Sequence, residues 1–111
     1  MNNLHLSKEA QNDLAEIKAY ITEELENPDA ALATISRITK KIRVLKNQAY
    51  VGTSLSSIAD TESDYRFLVS GNYLMFYRAY GKDVYIDRVL YGRRDYMRIL
   101  FGDVQSDETD E

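Results

Sequence analysis

The sequence predicts an α+β fold: a two-helix antiparallel hairpin packed on a twisted antiparallel sheet, closed by a short C-terminal helix. Three observations carry that prediction. Residues 10–25 and 32–45 space their apolar side chains by three and four, the period of an amphipathic helix. The second half holds three aromatic-rich segments separated by two glycine-containing turns, the pattern of a three-strand meander. Helices that precede strands, instead of alternating with them, set the hairpin on one sheet face and leave the other at least partly open.

Each element has its own reason. Residues 3–6 alternate polar and apolar side chains and are compatible with a short additional N-terminal strand, with His5 as a strand residue and not a ligand. Ser7 suits the N-cap of the first helix, and Glu9 the negative charge favoured in its first turn. Ala10, Leu14, Ile17, Ile21 and Leu25 form its apolar stripe, leaving Asp13, Glu16, Lys18 and Glu23 towards solvent. Asn27-Pro28-Asp29 ends this helix and begins the next. A residue before proline avoids helical angles, and proline suits the first helical position behind an Asn cap.

Leu32, Ile35, Ile38, Ile42 and Leu45 make the second stripe. Lys40, Lys41, Arg43 and Lys46 concentrate at its C-terminal end, where the helix dipole favours cations. So short a break joins the two as a helical hairpin. Residues 47–64 are polar, anchored only by Leu55 and Ile58, and read as a loop. Strands follow at 65–69, 73–80 and 83–91, with turns at Gly71 and Gly81. The alternation slips between Ile86 and Val89, predicting a bulge near Asp87 and Arg88. Residues 95–101 read as the last helix, docking Met97, Leu100 and Phe101 on the sheet.

At 111 residues the chain suits a single domain, assigned to residues 1–101. No apolar run approaches the ~20 residues of a membrane span, and the first residues lack the regions of a secretory signal, so the expected location is the cytoplasm. With no cysteine and one histidine, neither a metal centre nor a cofactor is expected. The net charge of −4 is uneven. Residues 102–111 hold five acids and no base, a tail too polar to order itself. Residues 65–101 hold seven Lys/Arg against three Asp, and seven of the nine tyrosines. Function is expected in this basic, aromatic region.

The run LSKEAQNDLAEIKAYI, the Asn-Pro break and above all GNYLMFYRAYGKDVYIDRVLYGRRDY resemble the RelE/ParE superfamily of bacterial toxins from type II toxin–antitoxin systems. The long amphipathic hairpin and the RVL-x-GRRD ending are more similar to the ParE branch. The resemblance implies a protein that arrests growth until a cognate antitoxin binds it as a heterodimer or heterotetramer. A ParE-like member would inhibit DNA gyrase without being an enzyme, and this is the favoured reading. A RelE-like member would be a metal-independent endonuclease acting on ribosome-bound mRNA.

The nuclease reading has definite needs: a proton acceptor, charge stabilisation at the phosphorane and a proton donor. Arg66 and Arg94 match family positions that handle phosphate. Proton transfer would fall to Tyr91 or Tyr96, because arginine stays protonated. Leu74 stands where RelE-type relatives often carry arginine, and Tyr91 where many carry histidine. For either target the expected contacts are Arg78, Arg88, Arg93, Arg94 and Arg98. The plainer alternatives are that Arg78 and Arg88 pair with Asp87 or helix carboxylates, and that Tyr73, Tyr77 and Tyr85 are strand packing. Outside the family, the competing reading is a non-toxic interaction module with an open sheet face.

Overall fold

Ser7 starts the first helix as its sequence position predicts: its Oγ accepts from the Ala10 N–H at 2.9 Å while donating to the Asp87 carbonyl at 2.7 Å. One side chain thus caps the helix and fastens it to the sheet. The computed structural model describes residues 1–57, 62–92 and 95–102. The first helix, α1, spans Lys8–Ala19 and runs into a π-helical turn, Tyr20–Glu24. Asn27 caps the second, α2 (Pro28–Val44), by accepting from the Ala30 N–H at 3.0 Å, with proline in its first turn. Between them Glu26 adopts a left-handed φ of 51°.

Five strands form one sheet: β1 (Asn3–Leu6), β2 (Thr53–Ser54), β3 (Arg66–Ser70), β4 (Tyr73–Tyr80) and β5 (Asp83–Tyr91), in the order β1-β5-β4-β3-β2. The meander is as expected. The sheet is nevertheless mixed, because β1 runs parallel to β5, from Asn3 opposite Asp83 to Leu6 opposite Ile86. Gly71 and Gly81 take φ near +58° and +59° at the first positions of their two-residue turns, as the favoured hairpin turns require. Phe76 pairs with Arg88 and Tyr77 with Ile86, so Asp87 is the extra residue of the predicted bulge.

The helical hairpin covers one face. Ala10, Ile38, Ile42 and Leu45 pack on Met75, Tyr77, Val84, Ile86 and Val89, all essentially inaccessible. Two stripe assignments need correcting. Ala31, not Leu32, is buried at the start of α2, one residue or about 100° round the helix. Leu25 is exposed because the π turn widens the chain after Ile21 and rotates the following residues off the seam.

The opposite face carries a second small core. Leu55, on a 3₁₀ turn at Leu55–Ser57, joins Phe76 and Leu90 beneath Tyr96, Met97, Ile99 and Leu100 of α3 (Tyr96–Phe101). Tyr80 and Tyr85 remain exposed at the other end of that face. The acidic tail from Asp103 onward lies outside the described residues.

Candidate functional site

Asp13 was expected to face solvent, and it does not. Its side chain is buried, taking Arg88 Nε at 2.8 Å, Arg88 Nη2 at 2.9 Å and the Val89 N–H at 2.9 Å. The sheet explains why. Strand β1 ends opposite Ile86, so the next stretch of β5 has no neighbour on that side. Ser7 and Asp13 of the helix supply the missing hydrogen bonds: Ser7 serves Ile86 and Asp87, and Asp13 serves Val89. An unpaired buried N–H would cost ~1–3 kcal/mol, so a carboxylate in this position is favoured despite its desolvation. Arg88 neutralises it.

Above this pair the hairpin and the sheet part into a groove of about 800 Å³. Glu16, Ile17, Tyr20 and Ile21 line it from the first helix and its π turn, Thr34 and Arg37 from α2, and Ser70, Tyr73 and Tyr91 from the sheet. Tyr73 and Tyr91 meet edge to face with ring centres 5.9 Å apart. Burial, then the nearby phenols of Tyr91 and Tyr20, pushes the Tyr73 pKa above its ordinary value. A hydroxyl so disposed stays protonated. The sequence pointed to the sheet wall of this groove through Tyr91; the helix wall was missed, and its only signal was apolar surface at Tyr20 and Leu25 near the hairpin tip.

Among the described residues, the candidate nuclease residues Arg66, Tyr91 and Tyr96 do not converge. Arg66, at the start of β3, gives Nη1 to the carbonyls of Gly52 (2.9 Å) and Tyr50 (3.3 Å) and lies 5.1 Å from the Tyr50 ring centre. It clamps the loop leaving α2. Arg66 is opposite Tyr77, and Tyr91 opposite Tyr73. On ideal strand spacings, four residues along and two strands across put them roughly 17 Å apart. Tyr96 packs on Phe76 at 5.3 Å, on the other side of the sheet from the groove. Arg93 and Arg94 lie outside the described residues; Gly92 before them is held by its N–H on the Asn72 carbonyl at 2.7 Å.

Of the expected target contacts, Arg88 is committed to Asp13, and Arg78 reaches Asp87 Oδ2 at 2.9 Å. The Tyr65 hydroxyl donates to the same oxygen at 2.9 Å, and the Arg78 guanidinium lies 5.0 Å from the Tyr65 ring centre. Arg98 is well exposed, with only a 3.6 Å approach to Asp95 within its own helix.

Burial, then the hydrogen bond to the Asp87 carboxylate, pushes the Tyr65 pKa from 10.0 up to about 12. A folded pKa above the unfolded one means that this group's contribution is complete below pH 10 and is lost as pH rises towards 12. Tyr65→Phe should therefore flatten the fall of melting temperature across that interval, although the variant starts lower for want of a hydrogen bond. Melting curves from pH 8 upward, paired with phenolate absorbance, check this. An identical alkaline slope in both proteins would contradict the assignment.

Among the described residues no three His, Cys, Asp or Glu side chains gather to hold a metal ion, and no helix is long and apolar enough to cross a membrane. Two of the solved structures that share the fold show the likeness. One, described as the chromosomal ParDE TA system from P. aeruginosa, aligns with a TM-score of 0.67 and 24% identity, over 80% of this chain and 94% of that one. YafQ from E. coli strain BL21(DE3) aligns with a TM-score of 0.52 and 16% identity, over 92% and 100%. No curated protein sequence matches. The family model for the ParE toxin of the type II toxin–antitoxin system parDE matches residues 4–96, which takes in most of β1, the hairpin, the whole meander and the first residue of α3. Sequence motif, sheet order and family match agree, and the chain belongs to the ParE toxins of type II toxin–antitoxin systems.

Proposed function

We propose that this toxin arrests growth by inhibiting DNA gyrase, without catalysing a reaction of its own, in the cytoplasm where a cognate antitoxin covers and neutralises it. The observation that supports this reading is the separation of Arg66, Tyr91 and Tyr96, the would-be catalytic groups among the described residues. A nuclease would need Arg66 beside a proton-transferring tyrosine, yet Arg66 is held on loop carbonyls, its backbone is roughly 17 Å from that of Tyr91, and Tyr96 packs on the far sheet face. A binding toxin has no such requirement. It needs exposed groups that a partner can desolvate, and Arg98 and Tyr91 suit that role, with Arg93 and Arg94 following Tyr91 in the sequence. The toxic unit is residues 1–101, with the acidic tail outside it.

Purified toxin should block supercoiling by gyrase and leave mRNA intact on programmed ribosomes. Arg94→Ala should weaken inhibition by about 2 kcal/mol, roughly 30-fold, if this arginine is a principal contact. Tyr91→Phe should change it little, because no proton moves. Cleavage of ribosome-bound mRNA that disappears in Tyr91→Phe, with gyrase unaffected, would overturn the proposal in favour of the endonuclease.

A further inference from the structure

The second half of α2 and the turn after it carry a charge pattern that the arginine-rich corner does not use and that the groove uses only at Arg37. Arg37, Lys40, Lys41, Arg43 and Lys46 are all exposed, and residues 30–59 contain no acid. Among the described residues no carboxylate comes within ion-pair distance of any of the five. Glu23, Glu24, Glu26 and Asp29 lie at the hairpin's tip, the far end of a helix about 25 Å long, and the acids of α1, Glu9, Asp13 and Glu16, make no ion pair with any of the five. Backbone bonds place a sixth cation at the same end. Asn2 N–H donates to the Lys46 carbonyl at 2.8 Å and Asn3 N–H to the Lys82 carbonyl at 2.7 Å, so the turn bearing Lys82 neighbours the end of α2.

The helix dipole accounts for only part of this. It favours Lys41 and Arg43, in the last turn, but not Arg37 or Lys40 before it. Arg37 and Lys41 are also four residues apart on one helix face, where like charges destabilise by ~0.2–0.5 kcal/mol. The residue types narrow the partner. No aromatic ring lies among these cations on the helix, so a base-stacking platform for single strands is absent. Val44 is the one large apolar side chain exposed between Arg37 and Lys46, too little for a membrane-inserting face or an apolar interface core. What remains is a set of point charges around the end of α2 and the turn after it, spread over ~14 Å along its axis, a length along which duplex DNA presents about eight phosphate charges.

We infer that the basic face formed by Arg37, Lys40, Lys41, Arg43 and Lys46 binds the phosphate backbone of duplex DNA without regard to sequence. The contact is direct and does not depend on gyrase being the target.

A fluorescently labelled 20-base-pair duplex of arbitrary sequence, titrated with the full chain at several salt concentrations, provides the test. Micromolar binding at low salt is expected, with log K falling against log salt at a slope of about −4, as four to five neutralised phosphates require. Lys40→Glu with Lys41→Glu should weaken binding at least tenfold and make the slope shallower by about 2. Arg37→Gln with Arg43→Gln should act in the same direction, and circular dichroism should show both double variants folded. Absence of binding at low salt would overturn the inference, as would full binding by both folded variants. Preference for poly-glutamate or for phosphatidylglycerol vesicles over the duplex would overturn it too, assigning the face to an acidic protein or a membrane.

Discussion

Asp13→Ala should lower the stability of this toxin by about 3 kcal/mol, enough to move its melting temperature by roughly 10–20 °C. The cost has two sources. Removing the carboxylate leaves the Arg88 guanidinium, whose side chain is only 25% exposed, without its counter-charge. It also leaves the buried Val89 N–H without an acceptor. Asp13→Asn tests the division between them, since an amide oxygen can still accept from Val89 while the charge is lost. It should fall between wild type and alanine. Chemical denaturation of the three proteins measures this, and an alanine variant as stable as wild type would show that the pair merely fills space.

Gly52→Ala should be comparably damaging, at about 3 kcal/mol, the upper end of what overpacking a well-filled core costs. A Cβ there would lie 2.6 Å from the Tyr77 hydroxyl and 2.8 Å from the Phe67 carbonyl. The second of these is backbone and cannot step aside. The position is tight because the Gly52 N–H donates to the Tyr77 hydroxyl at 2.9 Å and its carbonyl receives Arg66. Tyr77→Phe removes the hydrogen bond but not the space, and should cost less, ~1–3 kcal/mol. Should Tyr77→Phe prove the worse of the two, the hydrogen bond and not the close approach would be what fixes the loop.

Both residues show where sequence reading reached its limit. The helical hairpin, the meander and the bulge were legible because each rests on local periodicity and turn chemistry: Asn27-Pro28, Gly71, Gly81 and the slip between Ile86 and Val89. Asp13 was not, because its burial depends on β1 stopping at Leu6 and exposing the flank of β5, a pairing some 80 residues distant in the chain. The parallel placement of β1 was invisible for the same reason. Arg66 could be identified as a phosphate-type position by resemblance, but its capture by the Tyr50 and Gly52 carbonyls follows from how an irregular loop folds back on β4. Tyr96 was picked for its hydroxyl, whereas its ring is what the second core uses. The lysines of α2 read as dipole complements, which holds for Lys41 in the last turn; among the described residues, no carboxylate lies within ion-pair distance of them.

The pairing of β1 with β5 also bears on how the toxin is made. Residues 3–6 cannot find their partners until residues 83–86 exist, and Ser7 and Asp13 wait for Asp87, Arg88 and Val89 in the same way. At translation rates of ~5–20 residues per second, the opening segment remains unpaired for roughly 4–15 s. An interrupted chain that lacks the last strand is missing Val89 and Tyr91 from the sheet wall of the groove and has no counter-charge for Asp13. The groove and the Asp13–Arg88 pair are therefore completed only when nearly all of the chain has been synthesised.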